Sequence, residues 1–347
     1  MVRILYGVAG EGMGHAVRTR PIVECLLAQG HEVRIVAGGR AFRYLASRFV
    51  DVLEIAHLPI IYRDGAAHDS LTAVVNVLRF PLYARSFREV WRLVSEWRPD
   101  AIITDFEFLT SYVALLRGIP LLSVGNHQVL TKSEVTAPIR YWVDAVKTRF
   151  ITWLMTPFAG LFIVFWPDAS REVVRRAIIV QPPVRIEVLR LKPTAGKHVL
   201  VYQTSDSNRR LLDVLKGVDA EFVVYGYHRS GRDGNLLFRE FNERRFFKDL
   251  AACRAVITNG GFSLTSESLV LGKPVLICPV RKQYEQIFNA VEIERLGYGR
   301  FVEVVTPENI ALFLGNLSRY ARALGKYRHD GNVGCLGEID GFIRRVS

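Results

Sequence analysis

The chain has 347 residues, a formal net charge of +12 and a hydrophobic fraction of 50%. This length favours two domains of ordinary size over one, and the hydrophobic fraction is sufficient for real cores. The positive charge favours an anionic partner such as a nucleotide or an anionic membrane surface, although a solvated basic surface explains it as well. Because no aromatic-basic RNA-binding motif is visible, we expect no nucleic-acid partner.

The cysteines indicate a reducing compartment. All four lie far apart and form no C-x-x-C pair, which argues against zinc ribbons and redox motifs. The first residues form a strand-like apolar run with no signal-peptide pattern. We therefore expect a cytoplasmic protein.

The first half of the chain begins with a β-α-β pattern. Residues 3–9 predict a strand, residues 16–29 a helix and residues 31–37 a second strand, with the turn Gly10-Glu-Gly-Met-Gly-His15 between the first two. This order predicts an α/β fold with a parallel, doubly wound sheet. The turn departs from the G-x-G-x-x-G dinucleotide fingerprint, so a plain β-α turn is the alternative to a ligand loop.

Asp105 stands at the carboxyl end of another buried strand, predicted over residues 101–104. In open α/β sheets, residues that face a ligand gather at such strand ends. The alternative role for Asp105 is the N-cap of the helix that follows, and the two roles are compatible.

The Pro/Gly/Lys stretch over residues 192–197 reads as a linker, after which the β-α pattern restarts. We predict an N-terminal domain over residues 1–182, a linker over 183–197, a C-terminal domain over 198–320, and a helical tail over 321–347 that packs back across the domains.

The most informative stretch lies in the second half. A buried strand over residues 255–258 is followed by Asn259, Gly260 and Gly261, and then by a helix over 264–271. A strand, a Gly-Gly turn and a helix N-terminus bind phosphate, because free backbone N–H groups and the helix dipole converge on the anion. Glu267, within about the first turn of that helix, is placed to accept hydrogen bonds from two adjacent hydroxyls such as those of a ribose. The stretch predicts a nucleotide-diphosphate pocket.

These residues resemble the donor-binding signature of GT-B glycosyltransferases. The resemblance extends over Thr258-Asn-Gly-Gly-Phe-Ser-Leu-Thr-Ser-Glu267, Leu271-Gly-Lys-Pro-Val275 and Gln283-Tyr-Glu-Gln-Ile-Phe-Asn-Ala290, and the loop ending at His15 is similar to one in the same superfamily. The nearest groups are UDP-glucosyl/glucuronosyl transferases, the N-acetylglucosaminyl transferase of the peptidoglycan lipid intermediate, and an uncharacterised microbial branch. The resemblance implies two Rossmann-like domains facing a central cleft.

The resemblance also implies roles for single residues. The backbone of the Gly-Gly turn would hold the diphosphate, Glu267 the ribose, and Glu285 with Gln286 the sugar hydroxyls; backbone groups near residues 246–249 would read the uracil. Asn259 stands where the family often has His, and Glu285 where many members have Asp, so no sugar preference is transferred. The predicted donor site comprises Gly12, Gly14, Thr204, Ser205, Asn259, Gly260, Gly261, Phe262, Ser263, Glu267, Glu285 and Gln286.

His15 is the candidate general base, because sugar transfer requires deprotonation of an acceptor hydroxyl and imidazole is suited to this near neutral pH. Asp105 would orient His15 and stabilise its protonated form; the alternative for His15 is a residue that only shapes the loop. No D-x-D motif ends a strand, so we expect metal-independent transfer. The helix dipole, backbone N–H groups and Arg209 or Lys282 would balance the charge of the leaving diphosphate.

The predicted function is transfer of a hexose-type sugar from a UDP-sugar to an acceptor hydroxyl, with inversion and with no cofactor besides the UDP-sugar co-substrate. The apolar-aromatic stretch over residues 139–166, which includes Arg140, Lys147 and Arg149, favours a lipid-linked or hydrophobic acceptor and peripheral association with an anionic membrane at the inner face of the plasma membrane. Its charge-free part, residues 150–167, is too short and interrupted to span a membrane. A helix packed against its own domain is the alternative.

Two other functions stay open from the sequence. A nucleotide-sugar 2-epimerase uses the same fold and would not need the pair His15 and Asp105. A non-catalytic protein would bind the nucleotide sugar and release no UDP with any acceptor.

Overall fold

The computed structural model describes residues 1–63, 66–135, 138–203 and 209–346. They form two compact units. The N-terminal unit contains Met1–Ile61, His68–Arg185 and the residues from Asp330 onward, and the C-terminal unit contains Tyr62–Ala67 and Ile186–His329. Each unit therefore includes a segment from the other half of the chain.

The apolar runs of the sequence form short strands. In chain order these are β1 Arg3–Val8, β2 Glu32–Ala37, β3 Val52–Glu54, β4 Tyr62–Arg63, β5 Ala66–Ala67, β6 Ala101–Asp105, β7 Leu121–Gly125, β8 Leu161–Phe165, β9 Ala177–Val180, β10 Val199–Tyr202, β11 Phe222–Tyr225, β12 Gly231–Asp233, β13 Leu236–Phe238, β14 Ala255–Thr258, β15 Val275–Ile277 and β16 Gly299–Phe301.

Helices alternate with most of these strands, and a short 3-10 helix covers Ile139–Tyr141. The α-helices are α1 Gly14–Ala28, α2 Gly39–Ala46, α3 Asp69–Leu78, α4 Phe80–Trp97, α5 Phe108–Arg117, α6 Val129–Lys132, α7 Trp142–Met155, α8 Ile186–Leu189, α9 Arg209–Lys216, α10 Glu243–Ala252, α11 Phe262–Val270, α12 Tyr284–Arg295, α13 Pro307–Gly315, α14 Leu317–Leu324 and α15 Val333–Val346.

The main sheet of the N-terminal unit has the strand order β3-β2-β1-β6-β7-β8-β9, and every neighbouring pair described in it is parallel. The chain moves from β1 outward to β2 and β3, and then returns to place β6 on the other side of β1. In open α/β sheets a ligand crevice forms at this reversal, beyond the carboxyl ends of the strands. In the register of β1 and β6, Val8 pairs with Asp105, so the predicted ligand residues of both strands lie at this point.

The sheet of the C-terminal unit repeats this plan, with the order β12-β13-β11-β10-β14-β15-β16. Its pairs are parallel except for β12 with β13. The reversal lies between β10 and β14, where Tyr202 pairs with Thr258. The Gly-Gly turn therefore begins at the reversal of the second sheet. The predicted α/β class with two doubly wound sheets is confirmed.

Both faces of the second sheet are buried, which explains why its strands are continuous apolar runs rather than alternating ones. Val199 and Val201 pack in a core on one face with Phe222 and Leu276, whereas Leu200, between them, packs on the other face. Helices cover both faces, as the doubly wound plan requires.

Some elements were not predicted. Helix α2 follows a Gly-Gly pair that reads only as a strand end, whereas α15 lies within the helical tail predicted over residues 321–347. The antiparallel pair β12 and β13 is too short to give a clear alternation. The charge-free part of the apolar-aromatic stretch, residues 150–167, contains the strand β8.

Candidate active site

His15 lies in the first turn of α1, directly after the glycine-rich loop that leaves β1. Gly14 is the first residue of α1, and Gly12 has a φ of +75° with no atom of the described residues within 4 Å of where a Cβ would lie. His15 is buried, with its Nδ1 atom 2.9 Å from Oδ1 of Asp105. The structure thus brings together the two residues predicted to be catalytic, which are far apart in sequence.

Asp105 is completely buried at the end of β6, and its carboxylate is not the N-cap of the next helix. Glu107 has that role: its Oε1 accepts from the backbone N–H of Leu109 at 2.9 Å, and its Oε2 from that of Thr110 at 2.7 Å. Because the cap of α5 comes from Glu107, the carboxylate of Asp105 is directed to His15 and Arg18 instead.

Arg18 is a member of this site that the sequence did not indicate. Its Nε donates to Oδ2 of Asp105 at 2.6 Å, its Nη2 donates to Oδ1, and its Nη1 donates to Oδ1 of Asn126. Nη2 also lies 2.8 Å from Nδ1 of His15. The available signal was helical spacing, since Arg18 follows His15 by one turn of α1.

These contacts set the charges of the site. Burial alone would raise the pKa of Asp105, but Arg18 and then His15 hold it well below its usual range. For His15, burial and then the charge of Arg18 lower the pKa, and they outweigh Asp105, which raises it. His15 is therefore neutral near pH 7, as a general base must be before it accepts a proton.

Two aromatic rings stack beside His15 and were also missed. The ring of His127, which follows β7, lies 5.3 Å from that of His15, and the ring of Phe106 lies 4.1 Å from that of His127. Phe106 has a positive φ of 58° directly after Asp105. Both residues follow strands adjacent to the reversal of the first sheet, which was the only available signal for them.

Gly125, at the end of β7, is required by the same site. Its φ is +143°, and a Cβ there would lie 3.2 Å from Oδ1 of Asp105 and 3.3 Å from Nη2 of Arg18. The backbone of β7 can lie beside the ion pair only because this residue has no side chain.

The predicted diphosphate turn lies in the C-terminal unit. Gly260 has a φ of +87°, whereas Gly261 is the N-cap of α11 with a φ of −58°. Among the described residues, no atom lies within 4 Å of where a Cβ of Gly261 would be, so this part of the chain leaves the backbone face open at a helix N-terminus. Nδ2 of Asn259 donates to the carbonyl of Cys278 at 3.4 Å. The geometry is that of an anion-binding turn.

Helix α11 begins at Phe262, two residues before the predicted start, and Ser263 follows in its first turn. Glu267 consequently lies in the second turn, not the first as expected, and only 1% of its surface is exposed. A ribose would therefore reach this carboxylate only after neighbouring side chains move.

The predicted sugar-contacting pair, Glu285 and Gln286, lies in the first turn of α12. Oε1 of Gln286 accepts from the backbone N–H of Val280 at 2.9 Å, and a Cβ on Gly260 would lie 3.2 Å from the carbonyl oxygen of Gln286. Nδ2 of Asn289 donates to the carbonyl of Gly260 at 3.0 Å. The structure thus places the predicted diphosphate turn directly beside α12, which carries the predicted sugar-contacting pair.

Other predicted donor residues have less structural support. Thr204 and Ser205 lie outside the described residues. Near residues 246–249, where the uracil is expected, the structure has an open cavity of about 340 Å³ that the sequence did not indicate. It is lined by Arg239, Asn242, Arg244, Arg245, Lys248 and Asp249.

Three further findings concern metals, thiols and membranes. Among the described residues, no group of three or more His, Cys, Asp or Glu side chains could hold a metal ion. The four cysteines, all in the described part, are free thiols, of which Cys253, Cys278 and Cys335 are buried. No helix in the described ranges combines the length and apolar character needed to cross a bilayer.

The two doubly wound units have the architecture of the GT-B fold. A family model described as glycosyl transferase family 1 matches residues 2–318, and the chain belongs to this family.

Relatives and solved structures agree with this assignment. An uncharacterized glycosyltransferase of Methanosarcina mazei is 24% identical over 90% of this chain and 89% of its own length. The UDP-N-acetylglucosamine--N-acetylmuramyl-(pentapeptide) pyrophosphoryl-undecaprenol N-acetylglucosamine transferase of Chelativorans sp. is 22% identical over 89% of this chain and 83% of its own. The crystal structure of LpCGTa in complex with UDP covers all of both chains with a TM-score of 0.69 and 16% identity, which shows a shared fold.

Proposed function

We propose that this glycosyltransferase moves a hexose-type sugar, with inversion, from a UDP-sugar in the C-terminal unit to an acceptor hydroxyl deprotonated by His15. The observation that carries the proposal is the contact of 2.9 Å between Nδ1 of His15 and Oδ1 of Asp105. A carboxylate at Nδ1 orients the ring and stabilises the imidazolium that forms as Nε2 accepts the proton. A residue that only shaped the loop would not need a buried carboxylate partner.

The donor assignment is supported by the open backbone face at Gly261 and by α12 beside it. A diphosphate there would receive backbone N–H groups and the positive end of the α11 dipole, which together would stabilise the leaving UDP without a metal ion. Lys282, two residues before the start of α12, would add positive charge. UDP as the nucleotide agrees with the UDP in the solved complex of the fold neighbour LpCGTa and with the donor in the name of the Chelativorans relative.

The test measures donor binding and turnover in His15→Ala. We expect unchanged binding of UDP-glucose or UDP-N-acetylglucosamine in calorimetry, with UDP release across an acceptor panel reduced by about 10²–10⁴-fold. Undiminished release would overturn the role of His15 as base. Isomerised sugar after incubation of UDP-N-acetylglucosamine alone would indicate a 2-epimerase. Binding of the UDP-sugar without UDP release under any condition would indicate a non-catalytic protein.

We further propose that the acceptor is lipid-linked or hydrophobic and that the enzyme associates with an anionic membrane surface. Helix α7 buries only Ala145, Thr152 and Met155, and α3 buries no residue. Lys147 on α7 and Asp69 on α3 form an ion pair of 2.8 Å that joins the two helices. Their exposed apolar side chains form what we call the apolar surface: Val74, Val77, Leu78, Trp142, Val143, Val146, Phe150, Trp153 and Leu154.

The side chains of the apolar surface favour contact with the headgroup region of an anionic bilayer. Its α7 residues recur at helical spacing, and Arg140 and Arg149 are exposed beside them. Apolar and aromatic side chains next to cations are typical of helices that lie on anionic bilayers. Strand β8, near the end of the apolar-aromatic stretch, contributes nothing to it, because all of its residues except Leu161 are buried.

A matched pair of double variants tests the membrane proposal. Val143 and Val146 are 60% and 56% exposed on the apolar surface, and Val50 and Val304 are 99% and 54% exposed elsewhere. We expect Val143→Ser/Val146→Ser to lose most of its co-sedimentation with phosphatidylglycerol vesicles and Val50→Ser/Val304→Ser to retain it. Equal binding of both variants, or binding that is the same for phosphatidylcholine alone, would contradict the proposal.

A further inference from the structure

Arg18 joins three elements of the N-terminal unit around one buried charge. It lies on α1, and it bonds Asp105 at the end of β6 and Asn126 after β7. Its side chain is 3% exposed, and its guanidinium lies 5.7 Å from the centre of the Phe165 ring. A buried arginine with this many directed contacts fixes the position of the carboxylate that it binds.

The contacts at Nδ1 of His15 determine which ring nitrogen carries the proton. A donor, Nη2 of Arg18, lies 2.8 Å away, and an acceptor, Oδ1 of Asp105, lies 2.9 Å away. If Nδ1 had no proton, it would accept from Nη2, but its lone pair would also face an ionised carboxylate, which repels it. If Nδ1 is protonated, Oδ1 accepts from both Nδ1 and Nη2, which is within the capacity of a carboxylate oxygen. The second arrangement is favoured, and it leaves the lone pair of the imidazole on Nε2.

Arg18 also changes the charge that His15 experiences. The titratable groups that act on His15 are Arg18 on its own helix, Asp105 on β6 and His127 after β7. Tyr6 on β1 and Cys335 on α15 interact in turn with Asp105. With Arg18 present, His15 faces a neutral ion pair; without it, His15 would face a bare buried carboxylate that attracts a proton to the ring.

We infer that Arg18 is a positioning residue for the transfer reaction, which keeps Asp105 ionised and holds His15 neutral with its proton on Nδ1, so that Nε2 is the base. The inference rests on the proposed function of His15. Asp105 by itself would leave the resting enzyme with an imidazolium, which cannot accept a proton. Arg18 offsets that charge while the geometry of the carboxylate is retained.

The test is an NMR pH titration of the full chain labelled with ¹⁵N and ¹³C in histidine, with His15 assigned from the signal lost in His15→Gln. In the unmodified protein we expect the Nδ1–H tautomer and a midpoint below the ordinary value of about 6.5. In Arg18→Met we expect the midpoint to rise by about 1–3 pH units. In Arg18→Met/Asp105→Asn, where both charges are removed, it should return to a low value.

A control is available on the same helix. Arg20 pairs with Glu24 at 2.7 Å, so Arg20→Met also removes a paired arginine from α1, and we expect no shift of the His15 midpoint. Arg18→Lys, which keeps the charge, should keep the midpoint low. A loss of structure alone would not produce this pattern.

Two results would overturn the inference. One is a His15 in the unmodified protein that titrates at or above about 6.5 or has its proton on Nε2, a measurement that needs no folded variant. The other is an unshifted midpoint in folded Arg18→Met. UDP release measured in parallel separates the two proposals. If the titration midpoint of His15 shifts in Arg18→Met but His15→Ala still releases UDP, the base role is rejected and the effect of Arg18 on His15 stands.

Discussion

The backbone of Gly260 lies directly against the backbone of Gln286. A Cβ on Gly260 would meet the carbonyl oxygen of Gln286 at 3.2 Å and Cγ2 of Ile277 at 2.7 Å. The turn after β14 and the first turn of α12 can therefore form one site only if this position is a glycine. Its φ of +87° adds to the requirement, because side chains are strained there.

Gly260→Ala should destabilise the fold by about 1–3 kcal/mol, because the new methyl group overpacks a site that is already full. Gly261→Ala is the matched control: its φ is −58° and the space in front of it is open, so the loss should stay below about 1 kcal/mol. UDP affinity should nevertheless fall in Gly261→Ala, since its methyl group would project into the proposed diphosphate site. Urea unfolding and calorimetry with UDP measure both effects, and unchanged UDP affinity in Gly261→Ala would contradict that placement.

Gly125→Ala should reduce sugar transfer by at least about 10²-fold, because the methyl group would displace the ion pair of Asp105 and Arg18 that supports His15. Gly118→Ala separates this effect from backbone strain. Gly118 also has a positive φ, at +65°, but no atom lies within 4 Å of its Cβ position. We expect Gly118→Ala to lower thermal stability with little change in UDP release. Equal activity of the two variants would show that contact with the ion pair is not what matters at Gly125.

Glu267 should make the enzyme select ribose over deoxyribose. If its carboxylate accepts hydrogen bonds from both ribose hydroxyls, UDP should bind about 10–100-fold more tightly than 2′-deoxy-UDP, because hydrogen bonds to charged groups contribute about 1.5–3 kcal/mol. Glu267→Gln should remove most of this difference, and Glu285→Gln, assigned to the sugar, should keep it. Competition calorimetry measures the ratio; equal affinity for the two nucleotides in the unmodified protein would contradict the role of Glu267.

The pH dependence of transfer follows from the lowered pKa of His15. His15 stays neutral as the pH falls through about 6.5, the ordinary pKa of histidine. The acidic limb of kcat/KM should therefore lie below that pH. The same shift has a stability consequence: below about pH 6.5 the unfolded chain binds a proton at His15 that the folded chain resists, so stability falls with falling pH there. Stopped-assay rates and urea unfolding between pH 5 and 8 test both, and an acidic limb above about 6.5 would contradict the assignment.

The local pattern of the sequence was sufficient for much of this site. Gly260 and Gly261 after a buried run predicted the turn before α11, and the strand ends led to the pair of His15 and Asp105, because these patterns depend on residues close together in the chain. Arg18 and His127 were not found, since their proximity to Asp105 depends on which strands are neighbours. The expected position of Glu267 in the first turn of α11 was wrong because the helix starts at Phe262, where an aromatic residue gave no start signal.

By itself, the sequence determined the strand-helix alternation of both halves and the residue types at the strand ends, because periodicity and turn chemistry act over a few residues. Only the tertiary structure decided that β6 lies beside β1, and that Glu107 rather than Asp105 caps α5. These two outcomes free the carboxylate of Asp105 and bury it between His15 and Arg18. The protonation state of the candidate base depends on that burial and on those charges, which arise when distant segments pack together.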